Sequence, residues 1–199
     1  MAQPPSRADI TGLILAGGQG SRMGGVDKGL QTWRGHALID HVIARLRPQV
    51  ASLLISANRH LEEYGRRGAP VVTDATEDHP GPLAGILAGL QATRTEWLAV
   101  APCDAPRLPE DLVARLARGL TRTARATVVT RADPAGTHRI EPVCCLLATD
   151  LATDLAAYLE GGQRKVEPWL RRHATPVPFD TPADADAFAN FNTLADLRD

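Results

Sequence analysis

Little in the sequence commits it to a membrane, a polyanion or a disulfide framework. No apolar run approaches the ~18 residues of a transmembrane helix, and the N-terminal stretch MAQPPSRAD lacks the apolar core of a secretory signal. Neither sign of charge is in excess, 22 Lys and Arg facing 23 Asp and Glu. No overall field recruits nucleic acid or an anionic membrane, so any preference for phosphate has to be local. The three cysteines, Cys103, Cys144 and Cys145, form no C-x-x-C pair. Their odd number argues against a disulfide framework and fits a reducing cytosol. His36, His41, His60, His79, His138 and His173 share no metal-ligand spacing with one another or with the cysteines. No Ser-His-Asp arrangement supports a covalent enzyme intermediate, and no repeat, linker or low-complexity segment divides the chain. A single soluble cytoplasmic domain is the expectation for 199 residues of which 44% are hydrophobic, with residues 1–8 disordered.

What the chain does have is one unusual stretch. Residues 15–30 read LAGGQGSRMGGVDKGL and follow an apolar run from Ile10. Gly17, Gly18, Gly20, Gly24 and Gly25 are interleaved with Arg22 and ahead of Lys28. Glycine lets backbone N–H groups converge closely on an anion, and the two cations supply charge, so the stretch is a candidate phosphate loop. It is neither of the two common fingerprints. A dinucleotide motif needs a third glycine where Met23 stands, and a Walker loop needs Gly-Lys-Ser/Thr where Asp27, Lys28 and Gly29 stand. A plain strand-to-helix surface loop would also be glycine-rich; Arg22 and Lys28 favour a loop that wraps a nucleoside triphosphate.

Around this stretch, β-rich runs alternate with helical periodicity. Ile10 to Leu15, Val50 to Ser56, Pro70 to Thr73 and Glu96 to Ala101 suit buried strands. Helical spacing joins Leu38, Ile39, Val42, Ile43 and Leu46 up to Pro48, a short polar helix ends near Gly65, and residues 80–93 pass from loop into helix. Leu112, Val113, Leu116 and Leu120 make another helix face, with Arg115, Arg118 and Arg122 on its solvated side. Ala126 to Thr130 and Pro142 to Leu147 are strands too closely spaced for a helical crossover, so the second is expected to be antiparallel, with Cys144 and Cys145 on opposite faces and one of them buried. A helix from Thr149 closes at Gly161-Gly162, a short one covers Val166 to Arg172, and a last strand covers Thr175 to Phe179. Alternation of this kind implies an α/β, Rossmann-like sheet, mostly parallel with one antiparallel strand and helices on both faces. Ligands of such sheets gather beyond the carboxyl ends of the strands, where Leu15, Asp74 and Asp104 all fall.

Asp104, in the turn Pro102-Cys103-Asp104-Ala105-Pro106, could hold Mg²⁺, which takes one or two carboxylates together with substrate phosphates, or could simply bond its own turn. Asp74 could accept from the N1 and N2 donors of guanine or from a ribose hydroxyl, or it could cap its strand. Spacing alone does not choose between these roles.

LAGG with Arg22-Met23-Gly24 and Asp27-Lys28-Gly29-Leu30, then PGPLAG at 80–85, PCDAP at 102–106 and NFNT at 190–193, resembles the molybdenum cofactor guanylyltransferase family, in order and over nearly the whole chain. The resemblance implies a single nucleotidyltransferase domain with Arg22, Lys28 and Asp104 as catalytic residues and Asp104 as the Mg²⁺ ligand. It implies nucleotide contacts from Leu15, Ala16, Gly17, Gly18, Lys28, Asp74, Gly81, Gly85 and Asp104. Asn58 is a further pocket candidate, although the family carries an asparagine two places earlier, where this chain has Ser56. Asn190 and Asn192 match asparagines placed near the second substrate or the metal, and Arg164 with Lys165 matches a basic turn near the pterin phosphate. For Asn192 a plain helix cap, and for Arg164 and Lys165 the neighbourhood of a helix C-terminus, are the competing local roles.

The implied reaction is transfer of GMP from GTP to the terminal phosphate of Mo-molybdopterin, with release of pyrophosphate. Transfer from CTP, transfer to a sugar phosphate, and a non-catalytic nucleotide or cofactor carrier are the rivals. The partners implied are the two substrates and transient contacts with molybdoenzymes or other proteins of cofactor biosynthesis, with no nucleic acid and no membrane.

Overall fold

The computed structural model describes residues 3–16, 26–74, 81–133, 135–191, 193 and 196–198. Strand β1 (Ile10–Leu15) is followed by a two-strand hairpin, β2 (Thr32–Trp33) and β3 (His36–Ala37), and by α1 (Leu38–Leu46). Next come β4 (Ser52–Ser56), α2 (Leu61–Gly65), β5 (Val71–Val72), α3 (Pro82–Ala92) and β6 (Trp97–Pro102). The second half holds α4 (Leu112–Arg118), β7 (Ala126–Ala132), β8 (His138–Ala148), α5 (Ala152–Glu160), α6 (Val166–His173) and β9 (Ala174–Pro178). Among the described residues no helix is long and apolar enough to cross a membrane.

Seven strands form one sheet in the order β5-β4-β1-β6-β8-β7-β9. Every neighbouring pair is parallel except the two that β8 makes, with β6 and with β7. The single antiparallel strand is therefore where the short connection after β7 requires it. Strand alternation divides the core. Ile10 and Ile14 face α1 and α4 on one side, with Ile39, Val42, Leu112 and Leu116, whereas Leu13 faces α3, α5 and α6 on the other, with Ile86, Leu155 and Trp169. Cys144 and Cys145 do point to opposite faces, but both are buried, because helices cover the sheet on each side.

Three local features depart from the sequence reading. The β2–β3 hairpin escapes periodicity because each strand has two residues; its turn is Arg34-Gly35, with φ of 48° and 82°. Positive φ at both central positions is the tight-hairpin geometry that glycine favours at the second position. Arg115 is not on a solvated face. Its guanidinium bonds both carboxylate oxygens of buried Asp184, at 2.8 and 3.0 Å, and sits 3.6 Å from the centroid of Phe179, so it anchors the segment after β9 to α4. At the N-terminus, where disorder is expected, Ser6 N and Oγ both donate to Asp9 Oδ2, at 2.9 and 2.7 Å, across a short 3-10 turn over Arg7–Asp9, and the Arg7 guanidinium donates to the Val50 carbonyl at 2.9 Å.

Candidate active site

Because β1, β4, β5 and β6 run parallel, their carboxyl ends share one rim. The main chain leaving β1 is clamped there from both sides: Ala16 N donates to Ser56 O at 2.8 Å, and Leu15 O accepts from Cys103 N at 3.1 Å. Asp104 follows directly. Lys28 reaches it across 76 residues of chain, Nζ lying 3.4 Å from Asp104 Oδ2. The carboxylate is only 15% exposed. Burial pushes its pKa above the ordinary carboxylate range, and the Lys28 ammonium opposes that rise only in part.

The tripeptide Asp27-Lys28-Gly29 is held by a device that the sequence reading missed. Asp27, 8% exposed, caps a 3-10 turn (Lys28–Leu30) by accepting from Gly29 N at 3.1 Å, and it also accepts from the hydroxyl of Tyr64 at 2.5 Å. Tyr64 comes from α2 and is fully buried; burial first, and the bond to Asp27 second, raise its pKa far above the usual phenol range. Gly29 is squeezed between the same groups. A Cβ there would stand 2.6 Å from the Tyr64 oxygen and 3.2 Å from Cys103 Sγ. Asp27 and Gly29 thus orient Lys28 toward Asp104 from below. The signal in the sequence was slight: one tyrosine in a five-residue helix that also holds Leu61, Glu62, Glu63 and Gly65. Tyr64→Phe leaves the buried Asp27 carboxylate short of a donor. The expected loss is about 1–3 kcal/mol, or roughly 3–9 °C in Tm, together with a several-fold fall in turnover, read by calorimetry and a rate assay on the same preparation.

On the other flank, Ala57 N donates to Val72 O at 3.0 Å and Asp74 N donates to Asn58 Oδ1 at 3.1 Å, so Asn58 ties the ends of β4 and β5 together. The bond places Asp74 and Asn58 side by side and gives Asn58 a positioning role. Gly81, with φ 151° and ψ 168°, opens α3 in a backbone region that glycine alone takes readily. Among the described residues nothing lies within 4 Å of the position of its missing Cβ. Gly85 is different. A methyl there would overlap Ser56 Oγ and lie 3.1 Å from Leu15 Cδ2, and one at Gly89 would lie 2.5 Å from Leu13 Cδ2. These two glycines, four apart, let α3 approach the strands closely. Gly85→Ala should cost about 1–3 kcal/mol by overpacking and weaken nucleotide binding through the displaced end of β1. Melting temperature and nucleotide affinity should fall together; an unchanged affinity would confine Gly85 to packing.

The C-terminal motif also meets the rim. Phe191 N donates to Asp104 O at 2.9 Å, which brings exposed Asn190 beside the aspartate, while the Phe191 ring is buried with Trp33 and Leu38. Arg164 donates to the carbonyls of Leu159 and Gln163 at 2.7 and 2.8 Å, the helix-end role, and exposed Lys165 occupies the N-cap of α6. Gly17, Gly18, Arg22 and Asn192 lie outside the described residues. Among the described residues no three His, Cys, Asp or Glu side chains gather into a metal-ligand set. A half-buried carboxylate whose burial is only partly opposed by Lys28 suits Mg²⁺ all the same, since that ion takes one or two carboxylates and fills its shell with water and substrate phosphates.

A mostly parallel sheet whose first strand runs into a glycine-rich sequence, with a lysine–aspartate pair at its rim, suits a nucleotidyltransferase, and a MobA-like NTP transferase domain is matched over residues 12–177. The molybdenum cofactor guanylyltransferase of Cupriavidus pinatubonensis is 51% identical over 195 residues, covering 97% of this chain and 96% of its own. That of Ralstonia pickettii is 52% identical over 197 residues, covering 96% and 95%. The crystal structure of molybdopterin-guanine dinucleotide biosynthesis protein A from Archaeoglobus fulgidus superposes with a TM-score of 0.72 at 23% identity, covering 94% of each chain, a likeness of fold. The chain belongs to the molybdenum cofactor guanylyltransferase family, and it is a nucleotidyltransferase.

Proposed function

We propose that the protein transfers GMP from GTP to the terminal phosphate of Mo-molybdopterin, giving molybdopterin guanine dinucleotide and pyrophosphate. The observation that carries this reading is the Lys28–Asp104 pair, 3.4 Å apart, whose lysine follows the glycine-rich stretch in sequence. An oxygen of the acceptor phosphate attacks the α-phosphorus of GTP, and the bond from that phosphorus to the β-bridging oxygen breaks as pyrophosphate leaves. The attacking oxygen is already anionic, so no general base is required. Catalysis then consists of positioning and charge neutralisation. The loop amides of Gly17 and Gly18 with Arg22 bind the β- and γ-phosphates, Lys28 meets charge developing around the α-phosphorus, and Asp74 with Asn58 faces the nucleoside. Asp104 holds Mg²⁺, which when bound offsets negative charge on the phosphates and orients them. Three buried free thiols agree with a reducing cytoplasm.

The test offers each of the four NTPs with Mg²⁺ and molybdopterin and measures pyrophosphate. GTP alone should support rapid release. Equal use of CTP would overturn the base assignment, and tight GTP binding without release would make the protein a carrier.

A further inference from the structure

Arg107 lies three residues beyond Asp104 in the same turn. Its half-buried guanidinium stands 5.5 Å from the ring centroid of Trp33 and 5.5 Å from that of Phe191. The two rings meet edge to face, 5.0 Å apart, and are themselves buried. Phe191 is also the residue whose N–H holds the Asp104 carbonyl, so the cation and the carboxylate share one support. Lys28, Arg115 and Arg131 are paired with Asp104, Asp184 and Glu141, and Arg34 also stands over Trp33, 4.6 Å from its centroid. Among the described residues no carboxylate lies within 4.0 Å of Arg107. A half-buried charge held by aromatic faces, with no counter-ion among the described residues, is a site for an anion.

We propose that Arg107 binds the phosphate monoester of the acceptor. The proposal rests on the phosphate-acceptor reading above and adds the residue that recognises that group. A guanidinium fixed by its faces still offers its edge N–H groups as a fork to phosphate oxygens. The acceptor is preferred to the nucleotide for a geometric reason. Lys28, directly after the glycine-rich stretch assigned to the triphosphate, meets Asp104 through carboxylate oxygen Oδ2, whereas Phe191, the ring beside which Arg107 stands, meets it through the main-chain carbonyl. In-line displacement sets the attacking oxygen and the departing pyrophosphate on opposite sides of phosphorus. A cation supplied by a different segment of the chain is therefore assigned to the attacking dianion, whose approach to a triphosphate otherwise meets like charge.

The test compares wild type with Arg107→Met, which keeps an apolar stem over the two rings, and with Arg107→Lys, which keeps charge without the fork. Binding of molybdopterin and of its dephosphorylated form is measured by calorimetry, beside Tm and the KM for GTP. Wild type should prefer the phosphorylated pterin by about tenfold or more, the scale of one charge-assisted contact, and Arg107→Met should lose that preference. Arg107→Lys should recover part of it, while Tm and the KM for GTP hold. An undiminished preference in Arg107→Met, or a raised KM for GTP in its place, overturns the inference. Phosphate recognition through Arg107 without pyrophosphate release by the wild type would leave the inference standing and sink the transferase reaction. Transfer by the wild type with no role for Arg107 would do the reverse.

Discussion

Asp104→Asn should yield a folded protein in which pyrophosphate release falls by about 10²-fold or more, the scale of losing one electrostatic element of a transition state. The amide keeps the size of the side chain, and the main-chain carbonyl that receives Phe191 N is untouched. What goes is the negative charge that a hard cation requires. The same change makes a prediction about stability with a definite sign. Burial raises the Asp104 pKa in the folded protein, and Lys28 offsets only part of the rise. The folded state therefore holds this proton more tightly than the unfolded state, and stability falls as pH climbs from the ordinary carboxylate value through the raised one. At neutral pH the ionised carboxylate is a cost, so Asp104→Asn should melt no lower than wild type at pH 7. Any gain should shrink as the buffer is taken below the ordinary carboxylate value of 3.8. Loss of function with equal or greater stability is what a group kept for chemistry produces. Calorimetry across pH, with GTP binding measured with and without Mg²⁺, tests both halves. Near-normal Mg²⁺-dependent turnover would move the search to Asp74, since Asp27 is committed to Gly29 and Tyr64.

The alternation of apolar runs and helical periods was enough to place β1, β4 and β6 with the helices between them, because buried parallel strands are continuous apolar segments that end where a loop must turn back. The antiparallel β8 was legible for a geometric reason, the shortness of the link from β7. Strand ends also predicted the common rim of Leu15, Asp74 and Asp104. Contacts made by single side chains over long separations were not legible. Nothing in an arginine stripe distinguishes Arg115, which turns inward to Asp184, from exposed Arg118. Tyr64 lies 37 residues from Asp27, and their bond depends on the tertiary placement of α2. Gly85 carries a motif signal whose physical content, the closeness of Ser56 and Leu15, needs both strands in place. The hairpin before α1 is too short for any period. The phosphate-loop residues Gly17, Gly18 and Arg22 lie outside the described residues, so their roles rest on sequence and on the proposed reaction.

Lys28→Ala should lower turnover by about 10²-fold, and its pH dependence separates a direct charge role from a structural one. In wild type the Lys28 ammonium is the opposing influence that keeps the Asp104 pKa from rising as far as burial would take it. Removing it leaves only a backbone hydrogen bond to oppose desolvation, so the carboxyl should hold its proton to a higher pH. If ionised Asp104 is needed for transfer, the acid limb of the rate profile must then move upward, and the deficit of the variant should be larger at pH 6 than at pH 8. Stability should respond in the corresponding direction. The unpaired carboxylate destabilises the folded variant at neutral pH, and the difference from wild type should vanish in acid, where Asp104 is protonated in both proteins. The loss should be modest, because the ion pair is long at 3.4 Å and Lys28 is 23% exposed. Rates and melting curves from pH 4 to 9 on both proteins supply the readout. A uniform loss of rate with the acid limb unmoved would mean that Lys28 does not govern the Asp104 proton. A variant that melts far below wild type while its folded fraction turns over normally would make Lys28 a structural residue.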